Sequence, residues 1–142
     1  MADNPPADPY LDTDIIIRLL TSDDVKKQQA AAKLFEQVEK GELLILAPDT
    51  VIADTVYVLS SPRLYHFPRV NIHDTLSVLL KLPNFKVDNK QAIIKALDLY
   101  VTHNIDFSDA FLAALTLQTE SKIIFSYDLD YKKIPHLKRI EP

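Results

Sequence analysis

The sequence predicts an α/β fold, a single domain with a central parallel β-sheet flanked by helices on both faces, and three observations carry that prediction. Apolar runs such as Leu43-Leu44-Ile45-Leu46 and Ile123-Ile124-Phe125 are short and uninterrupted, as strands buried on both faces of a parallel sheet are. Between such runs lie longer stretches whose apolar residues recur at helical spacing, for example Ala31, Leu34, Phe35 and Val38. The two kinds of segment alternate along nearly all 142 residues, with no internal repeat and no linker. Alternation of that kind folds as one sheet joined by helical crossovers.

Taken in order, residues 1–8 lack the basic and apolar regions of a signal peptide and read as a flexible N-terminal arm, leaving residues 9–142 as the domain. Pro9 keeps its neighbours extended, so a first, central strand is expected to end at Leu11 or Asp12, with Thr13 or Asp14 capping a helix through Leu20. Ser22-Asp23-Asp24 supplies N-cap chemistry for a helix to about Lys40, where Gly41 stops it. After the strand at Leu43–Leu46, Pro48-Asp49 opens a helix that runs to Ser60 and ends before Pro62. Arg63 to Pro68 reads as a loop, about Asn71 to Leu80 as a helix and Asn84 to Val87 as a short strand. Asp88 or Asn89 caps the next helix, to about His103, and Asp106 caps another through Leu117. Lys122–Ser126 is a strand, Tyr127–Lys133 a loop with one helical turn, and Leu137–Ile140 a last short strand.

Composition removes several kinds of chemistry. A 47% hydrophobic content gives a chain of this length a sizeable core. The absence of cysteine removes disulfides, thiolate zinc sites and thiol nucleophiles together, and fits a cytoplasmic protein. No apolar run approaches the roughly 18 residues of a membrane span. The single glycine, Gly41, excludes glycine-rich phosphate loops, dinucleotide fingerprints and the GxSxG nucleophile elbow. A net charge of −4 argues against binding nucleic acid over the whole surface, and the one dense basic stretch is Lys132 to Arg139.

What remains is carboxylate chemistry. Asp12 stands just past a strand's carboxyl end, where open α/β sheets place their ligand crevice. Asp54 has Thr50, Val51, Tyr57 and Val58 as its helical neighbours, so its carboxylate falls on a largely apolar face, at a cost of several kcal/mol unless it is paired. The plainer reading is a polar stripe of Asp54, Thr55 and Ser61. Asp106 and Asp109 share a first helical turn, where acids serve as caps, but the run from Ala110 to Leu115 is apolar enough to hold that turn at the sheet edge. Asp128 and Asp130 follow a strand as Asp12 does, and would face it if the two strands are neighbours; as isolated loop acids they need no further role. Carboxylates gathered without a basic partner repel one another unless divalent cations neutralise them. Hard Mg²⁺ or Mn²⁺ prefer such oxygen ligands, and two ions can activate water against a phosphodiester.

The sequence resembles the PIN domain family of metal-dependent ribonucleases, which includes the VapC-type toxins of toxin–antitoxin pairs. The resemblance rests on residues 10–20 (YLDTDIIIRLL), 47–59 (APDTVIADTVYVL), 105–114 (IDFSDAFLAA) and 125–131 (FSYDLDY), with an ending at 134–142 in the same order. It implies a Rossmann-like three-layer sandwich and Mg²⁺- or Mn²⁺-dependent hydrolysis of RNA. It further implies catalytic roles for Asp12, Asp54, Asp109 and Asp128, with Asp12, Asp109, Asp128, Asp130 and Asp106 as the metal-binding acids. A homodimer and a cognate antitoxin are implied as partners, with no membrane. Two positions depart from the family: Asp54 stands where glutamate is usual, and Asp14 where asparagine is usual.

Two other readings stand beside this one. Asp12-Thr13-Asp14 has the Asp-x-Asp form of haloacid dehalogenase-type phosphatases, although Ile15 occupies the position of their glycine. Alternatively, the shorter Asp54 marks a fold that has lost efficient metal binding and serves as an interaction module. Leu64, Tyr65 and Phe67 form an apolar loop suited either to a dimer contact or to folding back on the core.

Overall fold

In the computed structural model, which describes residues 8–142, these divide into two compact units, the first ending at residue 90 and the second covering residues 91–142. The expected N-terminal arm lies outside the described residues except for Asp8.

The first unit begins with an extended segment whose Tyr10 bridges Leu46 in parallel. Leu46 N–H donates to the Pro9 carbonyl (2.9 Å) and Leu11 N–H donates to the Leu46 carbonyl (2.8 Å). The expected first strand is therefore a single bridge. Proline has no N–H to give a ladder, and helix α1 (Thr13–Leu20) begins two residues after Leu11. Its N-cap is Asp12 rather than Thr13 or Asp14, with Asp12 Oδ1 accepting from Thr13 N–H at 2.7 Å. Helix α2 (Val25–Glu39) is capped by Asp24, which accepts from Lys27 N–H at 3.0 Å. Gly41 leaves it in the left-handed region, φ 79°, as an L side chain rarely does.

Strand β1 (Ile45–Ala47) then leads through Pro48 into α3 (Asp49–Ser60), and α4 (Arg69–Leu80) leads into β2 (Phe85–Val87). β1 and β2 pair in parallel, Ile45 opposite Phe85 and Ala47 opposite Val87. α1 packs against both α2 and α3, and Ile16, Ile52, Leu59, Ile72, Leu76, Leu80 and Phe85 are fully buried. Phe35 meets Phe85 edge-on at 5.6 Å. Thr55 is the buried polar side chain of α3, and its hydroxyl donates to the Val51 carbonyl at 2.7 Å. In the loop after α3, Tyr65 folds back, its hydroxyl donating to Asp23 Oδ2 (2.8 Å), while Leu64 stays exposed.

Helix α5 (Lys90–Thr102) follows Asn89, whose φ is 55° and whose amide donates to Asp49 Oδ2 (2.9 Å). The second unit consists of most of α5, α6 (Phe107–Leu117), β3 (Ile123–Phe125), a 3₁₀ turn (Leu129–Lys133) and β4 (Lys138–Ile140). Ala110, Ala113 and Ala114 of α6 are buried, and Phe107 stacks on Phe111 and meets Tyr100 edge-on. β3 and β4 run parallel, Ile124 opposite Arg139. The described residues thus hold two parallel pairs and one bridge in place of the continuous sheet that alternation predicts. Each strand is only three residues long.

Candidate functional site

The second unit gathers three acids. Asp109 lies in the first turn of α6, where a negative charge complements the helix N-terminus. Asp128 and Asp130 lie at the start of the 3₁₀ turn that follows β3. One carboxylate oxygen from each is within 4.8 Å of the others.

Local bonding fixes how the acids are presented. Ser126 Oγ accepts from Asp128 N–H (2.9 Å), and Asp128 Oδ1 caps the turn by accepting from Asp130 N–H (2.9 Å). Lys133, one turn on, places Nζ 3.0 Å from Asp130 Oδ1. From the same turn the buried Tyr131 donates its hydroxyl to Asp109 Oδ1 at 3.3 Å. α6 and the turn after β3 are therefore tied together at the cluster.

The electrostatics follow from this crowding. Burial is the largest influence on Asp109 and raises its carboxyl pKa. The Tyr131 bond opposes that rise, while Asp128, Asp106 and Asp130 add to it. Tyr131 is pushed up to about 12, first by burial and then by Asp109, Asp128 and Asp130, against which a phenolate would be a further negative charge.

The donor set fits a hard divalent cation. It is entirely carboxylate oxygen, and oxygens sharing one ion at about 2.1 Å lie up to about 4.2 Å apart, close to the spacing here. Lys133 offsets only one of the three charges. Asp109, Asp128 and Asp130 could hold such an ion.

The other acids singled out in the sequence are placed differently. Asp106 is the N-cap of α6 and exposed; its side chain makes no cap bond, although its carbonyl accepts from Ala110 N–H (2.9 Å). Asp12 and Asp54 belong to the first unit, on α1's cap and on α3. Asp54 is exposed beside Tyr57, itself 74% exposed, so the expected cost of a carboxylate on an apolar face does not arise. The four neighbours split: Val51 faces in, Val58 is half-buried, and Thr50 and Tyr57 face out.

The basic stretch from Lys132 to Arg139 is also less open than its sequence suggests. The Arg139 side chain is buried and the exposed Lys133 is engaged by Asp130, leaving Lys132, His136 and Lys138 exposed without such a partner in this stretch. Tyr131 and Ser126 were not foreseeable as partners of the acids. Their proximity in the chain to Asp128 was the available signal, but the link from Tyr131 to Asp109 spans 22 residues.

A family model described as PIN domain matches residues 10–137. The chain is also similar to a VapC ribonuclease of Aquifex aeolicus (strain VF5). The two are 27% identical over 125 residues, which cover 87% of this chain and 90% of that protein.

Proposed function

The chain belongs to the PIN domain family, and on that premise we propose that it is a divalent-metal-dependent endoribonuclease, the toxin of a toxin–antitoxin pair. The observation that carries the reading is the meeting of Asp109 with Asp128 and Asp130, brought from two separate elements to within 4.8 Å. The similarity to a VapC ribonuclease supports RNA as the substrate.

Asp109, Asp128 and Asp130 would hold Mg²⁺ or Mn²⁺. A bound divalent ion supplies positive charge against a phosphodiester and acidifies water. The chain's own residues do the rest. Tyr131 holds Asp109 in place by donating to its Oδ1. Lys132 and Lys138 attract the phosphate backbone toward an otherwise acidic surface. Asp12 is proposed as a further catalytic carboxylate from its place in the family motif, and Asp54 as an auxiliary one. A homodimer and an antitoxin partner belong to the same proposal.

The test is RNA cleavage by wild type, Asp12→Asn, Asp109→Asn and Asp128→Asn, with Mn²⁺ or with chelator. Cleavage by wild type with Mn²⁺, and its loss in the variants and in chelator, is the expected outcome. Chelator-resistant cleavage counts against metal dependence. No cleavage, together with a melting temperature that millimolar Mn²⁺ leaves unmoved, favours the inert interaction module suggested by Asp54 in place of glutamate.

A further inference from the structure

We propose that Arg139 is a positioning residue for the acid cluster, acting through Ser126. This rests on the reading of Asp109, Asp128 and Asp130 as a cation site and adds a residue outside it. The Arg139 side chain is 8% exposed. Its Nη1 donates to the Ser126 carbonyl at 2.7 Å and to Glu141 Oε1 at 2.9 Å. The β3–β4 register delivers it there, with Ile124 opposite Arg139, and Ser126 N–H donates to the Ile140 carbonyl at 3.1 Å.

Ser126 is thereby held on both backbone groups, and its free hydroxyl oxygen accepts from Asp128 N–H. Asp128 in turn accepts from Asp130 N–H. A continuous run of hydrogen bonds connects a buried guanidinium on β4 to both loop acids. Asp109 on α6 repels the two loop acids, of which Lys133 offsets one, and this anchor holds the loop against that repulsion.

Two features set Arg139 apart from an ordinary surface ion pair. Its charge is matched by Glu141, so its effect on the acids passes through backbone geometry. Its Nε is buried without a partner, a cost that a surface position would have avoided. Arginine is also suited to the task because its planar fork fixes the direction of each N–H, which lysine cannot do.

The experiment compares wild type with Arg139→Gln, Arg139→Lys, Ser126→Ala and Ser126→Thr. Mn²⁺ affinity is measured by calorimetry well below each melting temperature, and amide hydrogen exchange is followed at Asp128 and Asp130. Arg139→Gln and Ser126→Ala are expected to weaken Mn²⁺ binding about tenfold or more, as loss of a group supporting metal ligands does. They should also speed exchange at Asp128 ahead of the rest of the unit. Ser126→Thr keeps the hydroxyl and should stay near wild type, with Arg139→Lys between. Variants that bind Mn²⁺ as wild type does, with Asp128 exchange unchanged or accelerated only along with every other amide, would overturn the proposal while leaving the site intact. Should Arg139→Gln not fold, Arg139→Lys decides: Mn²⁺ affinity and Asp128 exchange equal to wild type would overturn the proposal. A wild type that binds no Mn²⁺ removes the cation-site reading, and this role falls with it.

Discussion

Asp109 and Tyr131 show how one contact sets the behaviour of two groups. Because burial raises the Asp109 pKa above its ordinary 3.8, the folded state holds that proton more tightly than the unfolded chain does. The favourable contribution is thus present in acid and withdrawn as pH rises from about 3.8 through the raised value, so the ionised carboxylate is a liability at pH 7. Asp109→Asn keeps an oxygen for Tyr131 and removes the charge. It should therefore raise the melting temperature at pH 7 in chelator, while abolishing any stabilisation by Mn²⁺; thermal unfolding with and without Mn²⁺ checks both. Gly41 presents the opposite case, a cost created by adding atoms. At φ 79°, with the nearest atom to a new Cβ 3.8 Å away, Gly41→Ala meets strain but no clash and should destabilise by about 1 kcal/mol in urea titration. The sequence made Gly41's role readable because helix termination is local. It also marked Asp109, but not Tyr131, whose contact depends on the packing of a turn that begins a dozen residues after α6 ends.

Helices were more legible than strands for the same reason. Asp24, Pro48 and Asp106 all stand at helix N-caps close to where local sequence places a helix start, and of the three Asp24 makes a side-chain cap bond. Asp24→Ala should accordingly cost about 1 kcal/mol, measured by chemical denaturation. Strand pairing joins distant segments, and pattern alone did not show that β1 to β4 are three residues each or that Tyr10 contributes one bridge. Periodicity also misjudged Asp54, because apolar neighbours on a helix do not reveal whether the shared face turns inward. Where packing is decisive, the cost of a change is larger. Phe85, fully buried and edge-on to Phe35, should lose about 3–5 kcal/mol on Phe85→Ala, read from the same denaturation curves.

Over the whole molecule, the net charge of −4 sets the conditions for binding a polyanion. With Arg139 paired to Glu141 and Lys133 to Asp130, the basic stretch proposed to meet RNA keeps only Lys132 and Lys138 to release counterions. The salt dependence of RNA affinity should be shallow, a slope nearer 2 than 6 in a log–log plot, as a protein with about two phosphate contacts gives. Divalent ion at 100 times its dissociation constant should stabilise the fold by about 2.7 kcal/mol, visible as a rise in melting temperature. The family membership was legible from the ordered motifs, whereas which acids of the second unit meet required coordinates: Asp109, Asp128 and Asp130 converge, and Asp106, close to Asp109 in sequence, is not among them. The Tyr131–Asp109 contact offers one more use. The chain has six tyrosines and no tryptophan, so its near-ultraviolet absorbance is phenolic. Tyr131, ionising only near 12, should lag in an alkaline spectrophotometric titration. Removing the neighbouring carboxylate should draw that last phenol part of the way back toward 10, making the protein's own chromophore an optical gauge of charge in the acidic cluster.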